Sequence, residues 1–68
     1  MNLRLNGEIK EFADDIITVG LLLTSLNIKR IERVAVEINQ EIIDPASFNE
    51  ALVKPGDCIE IVSFVGGG

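Results

Sequence analysis

The sequence predicts an α+β domain in two layers, with one main helix crossing one face of a mixed sheet of four to five strands. Three observations predict it. An Asn6-Gly7 pair separates two short strand-like segments near the start of the chain. A stripe of apolar residues at helical spacing follows, at Val19, Leu22, Leu23 and Leu26. Two alternating apolar runs, 34–39 and 58–64, supply further strands.

In chain order, residues 2–6 alternate, with Leu3 and Leu5 on one face. Asn-Gly is the strongest short hairpin signal, because both central residues of a type I′ turn need positive φ. The returning strand covers 8–12 with Ile9 inward. Ile9 and Phe12 differ in parity, which predicts a bulge or a strand end there. Asp14-Asp15 opens a connection, as a loop or helix-start feature. Thr18 is the expected helix N-cap, since its hydroxyl can accept an unpaired N–H of the first turn. Val19, Leu22, Leu23 and Leu26 fall at i, i+3, i+4 and i+7, one stripe of a helix. Gly20 within it costs about 1 kcal/mol relative to Ala, so the helix depends on packing. Asn27 is a natural stop. Residues 28–33 show no period and read as a loop.

Val34, Val36 and Ile38 share one face of the next strand, and Ala35, Glu37 and Asn39 the other. Ile42-Ile43 reads as a short strand. Asp44-Pro45 caps a short helical turn through about Asn49, because Pro suits the first helical position. Lys54-Pro55-Gly56-Asp57 is a turn, with Pro presetting φ. The last strand follows at once, with Ile59 and Ile61 on one face and Cys58, Glu60, Val62 and Phe64 on the other. A hairpin crossed by a helix, with the final strand beside the first, is the β-grasp architecture, and the right-handed crossover rule permits it. Residues 1–64 are expected to form this domain, and residues 65–68 a flexible glycine tail.

At 68 residues this is one small domain with one modest core. Its 47% hydrophobic and 25% charged content fits a globular chain. A net charge of −5, with six scattered basic residues, argues against nucleic acid. An acidic surface favours a basic partner face. No secretory signal is visible, and the apolar-rich run 16–23 is too short to span a membrane. The single cysteine, Cys58, cannot form an internal disulfide, which points to a reducing, cytoplasmic location.

The chain contains no His and cannot build a Ser–His–Asp or Cys–His pair. It has no metal-ligand spacing. Cys58 is expected as a small packed thiol, with sulfur exchange as its alternative role. The feature left over is Val65-Gly66-Gly67-Gly68. Glycine has no side chain to pack and loses the most entropy on ordering. Four extended residues span at most about 14 Å, enough to reach into another protein's active site. A frayed end or a linker scar is the plainer alternative. If the chain takes part in chemistry, it does so as a substrate, through the Gly68 α-carboxylate. A carboxylate with a pKa of about 3.3–3.7 is ionised at neutral pH and a poor electrophile, so a partner must activate it, most simply with ATP as an acyl-adenylate. Val62 and Phe64 point away from the core beside the tail, where an exposed apolar patch rimmed by charge would mark a protein contact. The alternative is that this face is covered within the monomer, or that Phe64 folds over an edge.

Asn6-Gly7-Glu8, Thr18-Val19 before a leucine-rich helix, residues 34–42, Pro55-Gly56-Asp57 and the terminal glycines together resemble the ubiquitin-like sulfur carrier family, and within it the ThiS carriers. The resemblance spans essentially the whole chain in order. It implies that an E1-like adenylyltransferase of the ThiF type adenylates the Gly68 carboxylate. The acyl group then becomes a thiocarboxylate, with sulfur from a donor such as a cysteine desulfurase persulfide. Thiazole synthase of the ThiG type receives that sulfur for the thiazole half of thiamine. Val65, Gly66 and Gly67 would enter the partner's slot, with Gly67-Gly68 matching the family's diglycine and Gly66 an additional glycine. No cofactor is implied on the chain itself, which would be a protein co-substrate and not an enzyme. The related molybdopterin carriers usually place prolines before the tail, where this chain has Ser63-Phe64-Val65. Carriers for tRNA thiolation, a ubiquitin-like protein modifier and a non-covalent β-grasp interaction module are the other readings of the same fold.

Overall fold

The computed structural model describes residues 1–64; Val65, Gly66, Gly67 and Gly68, the expected tail, lie outside the described residues. Strands β1 (Asn2–Leu5) and β2 (Glu8–Glu11) form the N-terminal antiparallel hairpin. Asn6 and Gly7 turn it with φ of 50° and 85°, the left-handed pair that a type I′ turn requires. Ile9, expected inward, is instead 68% exposed. The register explains the difference. Ile9 lies opposite Arg4, while the buried Leu3 and Leu5 lie opposite Lys10 and Glu8. Parity therefore gives the inner side to Glu8, Lys10 and Phe12, and Phe12 packs against the core just past the strand's end. Lys10 and Glu8 approach at 3.8 Å, an exposed pair of little energetic weight.

Strand β3 (Ile17–Thr18) leads directly into helix α1 (Val19–Ser25). The Thr18 hydroxyl accepts the Leu21 N–H at 3.1 Å, as the N-cap reading requires. Val19, Leu22 and Leu23 are buried and Leu26 packs beside them. At the far end Asn27 takes φ 62°, and the Ile28 N–H returns to the Leu23 carbonyl at 3.0 Å. With the Asn27 N–H on Thr24 O, this is a Schellman stop.

β3 pairs with β6 (Leu52–Val53) as a separate two-stranded ladder, which no local sequence period predicts. It places the start of α1 against the segment 48–51. The Val19 N–H donates to Ala51 O at 2.9 Å and the Gly20 N–H to Phe48 O at 2.8 Å. Two N–H groups that a helix start leaves unpaired are thereby satisfied. Gly20 sits at this close approach. A Cβ there would lie 2.8 Å from Asn49 Oδ1 and 3.4 Å from the Phe48 carbonyl oxygen.

A 3-10 turn at Ile31–Arg33 leads into β4 (Val34–Ile38), which hairpins into β5 (Glu41–Ile43). Asn39, expected as the last strand residue, is the first residue of the turn; it and Gln40 have φ of 52° and 73°. Asp44 caps the 3-10 turn Pro45–Ser47, accepting the Ala46 N–H at 3.1 Å. That turn delivers Phe48 into the core, where it is 2% exposed. Gly56, at φ 86°, completes the Pro55-Gly56 turn before β7 (Cys58–Ser63).

The main sheet has the order β2-β1-β7-β4-β5. β7 is parallel to β1 and antiparallel to β4. This is the mixed five-stranded sheet of a β-grasp fold, with α1 on one face. Leu3, Leu5, Val34, Val36 and Ile59 line the inner face of the sheet and meet Val19, Leu22, Leu23, Ile17, Val53 and Phe48. Among the described residues, no helix is long and apolar enough to cross a membrane.

Phe48→Ala empties the largest fully buried site, so a loss of about 3–5 kcal/mol is expected in urea unfolding, enough to leave a domain this small largely unfolded. Gly20→Ala has the opposite expected sign. Asn49 is exposed and its side chain can swing clear, so the gain in helix propensity, up to about 1 kcal/mol, should raise the melting temperature.

Candidate functional site

Among the described residues, no helix or second sheet covers the face of the main sheet opposite α1. Along β7, Cys58, Glu60 and Val62 are exposed on this face while Ile59 is buried beneath them. The register fixes their neighbours. Val62 lies opposite Ala35, and Glu60 opposite Glu37. Glu37 in turn lies opposite Ile42. On the other side, Arg4 sits between Ile9 and Cys58. An apolar end at Val62 and Ala35 is thus bordered by a row of two carboxylates. Val62 is 58% and Phe64 59% exposed, so neither is covered within the domain.

Backbone bonds carry the chain to the edge of the described structure. Val34 pairs with Ser63, and the Phe64 N–H donates to the Arg33 carbonyl at 2.8 Å. The strand therefore stays in the sheet up to the residue before Val65. Gly68, the expected reacting residue, and Val65, Gly66 and Gly67, expected to enter a partner, lie outside the described residues.

Two residues that sequence reasoning treated only as turn and strand positions hold β7 at its ends. The parallel register of β1 with β7 covers Arg4–Cys58 and Leu5–Ile59. Beyond it the Asn6 side chain takes over: Nδ2 donates to Ile61 O at 3.2 Å and Oδ1 accepts the Ile61 N–H at 2.8 Å. A primary amide offers a donor and an acceptor side by side, as a peptide group does. Asn39 does the corresponding work at the start of β7. Its Oδ1 accepts the Cys58 N–H at 2.9 Å, and its Nδ2 donates to Asp57 Oδ1 at 3.1 Å. Asp57 also accepts the Lys54 N–H at 2.9 Å, closing the Pro55-Gly56 turn. A sequence signal was available in part: both turns begin with Asn where Gly would satisfy the φ requirement alone.

Cys58, expected as a packed thiol, is exposed. Its strand position explains this, because it shares the parity of Val62 and not of Ile59. It borders a shallow concavity of about 210 Å³ lined also by Arg4, Gly7, Glu37, Gln40, Ile59 and Glu60. Asp14 and Asp15 lie in the connection before β3, and the Asp14 carbonyl accepts a hydrogen bond from the Met1 amino group at 3.0 Å. Among the described residues, no three His, Cys, Asp or Glu side chains converge as a metal cluster would.

Phe64→Ala is expected to cost about 1 kcal/mol or less in urea unfolding, since the ring is mostly solvated. A loss on the scale of a buried phenylalanine would place the ring in the core.

The model of the ThiS family matches residues 3–68. The sulfur carrier protein ThiS of Bacillus subtilis (strain 168) is 41% identical over 66 residues, covering 97% of this chain and 98% of that protein. A thiazole synthase of Paramagnetospirillum magneticum (strain ATCC 700264 / AMB-1) is 43% identical over 68 residues, which is 100% of this chain. The chain spans 20% of that relative's length. The crystal structure of the thiamine biosynthesis protein (ThiS) from Geobacter metallireducens matches with a TM-score of 0.88 at 36% identity, covering all of both chains. The solution structure of a thiamine biosynthesis protein from the same organism matches with a TM-score of 0.84 at 36% identity, covering 100% of this chain and 88% of that one. Family match, a full-length carrier relative and a shared β-grasp fold agree, and the chain belongs to the ThiS family, the sulfur carrier proteins of thiamine biosynthesis.

Proposed function

We propose that the chain carries sulfur as a thiocarboxylate on Gly68, acting as a co-substrate of other proteins and not as an enzyme. The observation that carries this reading is the course of β7: it lies between two strands of the main sheet and is still paired at Phe64, immediately before Val65 and three successive glycines in the sequence. The match to a carrier of nearly the same length supports it. In the proposed sequence a Gly68 carboxylate oxygen attacks the α-phosphorus of ATP on an E1-like adenylyltransferase, and pyrophosphate leaves. The terminal sulfur of a persulfide then attacks the acyl carbon, and AMP leaves. A thiol cleaves the resulting S–S bond, taking the donor sulfur into a mixed disulfide and leaving the thiocarboxylate. The chain contributes no acid or base to these steps. Its part is to present an unhindered carboxyl, which glycine does by lacking Cβ.

Thiazole synthase is the proposed acceptor. A relative of that name contains a region matching this whole chain, which supports direct work between the two activities. Val62 and Phe64 form the proposed contact face, with the Glu37–Glu60 row favouring a basic partner rim. A cysteine desulfurase is the proposed source of the persulfide, in a reducing cytoplasm.

Incubation with a ThiF-type adenylyltransferase, ATP and a sulfur donor should raise the intact mass by one oxygen-to-sulfur exchange. Removal of Gly67-Gly68 should abolish the gain and leave the melting temperature unchanged. Sulfur acquired by the truncated chain would overturn the assignment, and a ladder of larger conjugates would indicate protein modification instead.

A further inference from the structure

We infer that Asn6 is a positioning residue for the chemistry at Gly68, acting through Ile61. This rests on the carrier function proposed above. The last register pair of β1 with β7 is Leu5–Ile59, and the Asn6 N–H donates to Ile59 O at 2.9 Å. At Asn6 the main chain turns away into the hairpin, with φ 50°. Strand β7 nevertheless runs on to Ser63. On its β4 side it keeps backbone partners throughout, from Ile59 opposite Ile38 to Ser63 opposite Val34. On its β1 side, among the described residues, the partner past Ile59 is the Asn6 amide, with its two bonds to Ile61. Those bonds hold β7 from both sides two residues further than the β1 backbone reaches. Without them, residues 60–63 hang from β4 alone, an edge strand free to twist and splay about that single ladder. The direction in which the chain leaves at Phe64 is set by these residues. A partner that docks on the body of the domain and reads the carboxyl at a fixed place therefore depends on the clamp.

Asn39 provides a matched control. It too has a positive φ, 52°, and bonds β7 backbone through its amide, but at Cys58, the end remote from the tail. Glycine accepts both backbone conformations, so Asn6→Gly and Asn39→Gly each remove a clamp without straining a turn.

The experiment compares both variants with the unsubstituted chain in melting temperature, amide hydrogen exchange, and steady-state kinetics of ATP-dependent sulfur loading by a ThiF-type enzyme. Similar small losses of melting temperature are expected from both. Faster exchange at the Ile61 amide is expected only in Asn6→Gly. Loading by Asn6→Gly should fall roughly 10-fold in kcat with KM little changed, since the docking face is intact and only the aim is lost. Asn39→Gly should load normally. Asn6→Asp keeps the acceptor for the Ile61 N–H, loses the donor to Ile61 O and should load at an intermediate rate; it also serves if the glycine variant fails to fold. Equal kcat for Asn6→Gly and the unsubstituted chain, or an equal fall in both glycine variants, overturns the inference. No loading of the unsubstituted chain overturns the carrier function, and this inference with it.

Discussion

The position of β7 between β1 and β4 is the constraint from which the rest of the architecture follows. A central strand must satisfy hydrogen bonds on two edges, while the neighbouring backbones here extend unequally along it. β4 accompanies it to Ser63; β1 stops short and turns. The asparagine amides at 6 and 39 make up the difference, each from a left-handed turn residue. The two hairpins are therefore more than connections. Their turns reach back to fix the strand that joins them, and the core side chains Leu5, Val36 and Ile59 gain their alignment from that same pairing.

The two faces of β7 have opposite tasks, separated by the two-residue period of a strand. Ile59 and Ile61 face α1 and supply cohesion. Cys58, Glu60 and Val62 face outward. Glu37 and Glu60 lie directly opposite each other there, an arrangement that costs stability between like charges. Within the isolated domain nothing is gained by it. Against a basic surface the same pair becomes an attraction at the edge of an apolar contact, so a local cost in the free protein matches the proposed role in recognition.

Local signals made much of this legible. Asn6-Gly7, the Thr18 cap, the stripe from Val19 to Leu26 and the alternation of 58–64 each act over a few residues, and each forms as read. Structure departs from local signal where a distant partner decides the outcome. Ile9 is apolar, yet the hairpin register assigns the inner side to Phe12. The two-residue strands β3 and β6 have no period of their own and exist because they face each other. Phe48 stands outside any periodic run and is carried inward by a capped 3-10 turn. In the candidate site, the exposure of Val62 followed from parity. The bonds of Asn6 to Ile61 did not, since 55 residues separate them and the side chain's local preference explains the turn equally well.

The central place of the last strand also orders events during synthesis. Until residues 58–63 leave the ribosome, β1–β2 and β4–β5 are two hairpins with no strand between them, and isolated two-stranded hairpins are marginal in water. The nascent chain can close its sheet only once this strand has emerged, so folding waits for the same stretch of polypeptide that leads into the glycines.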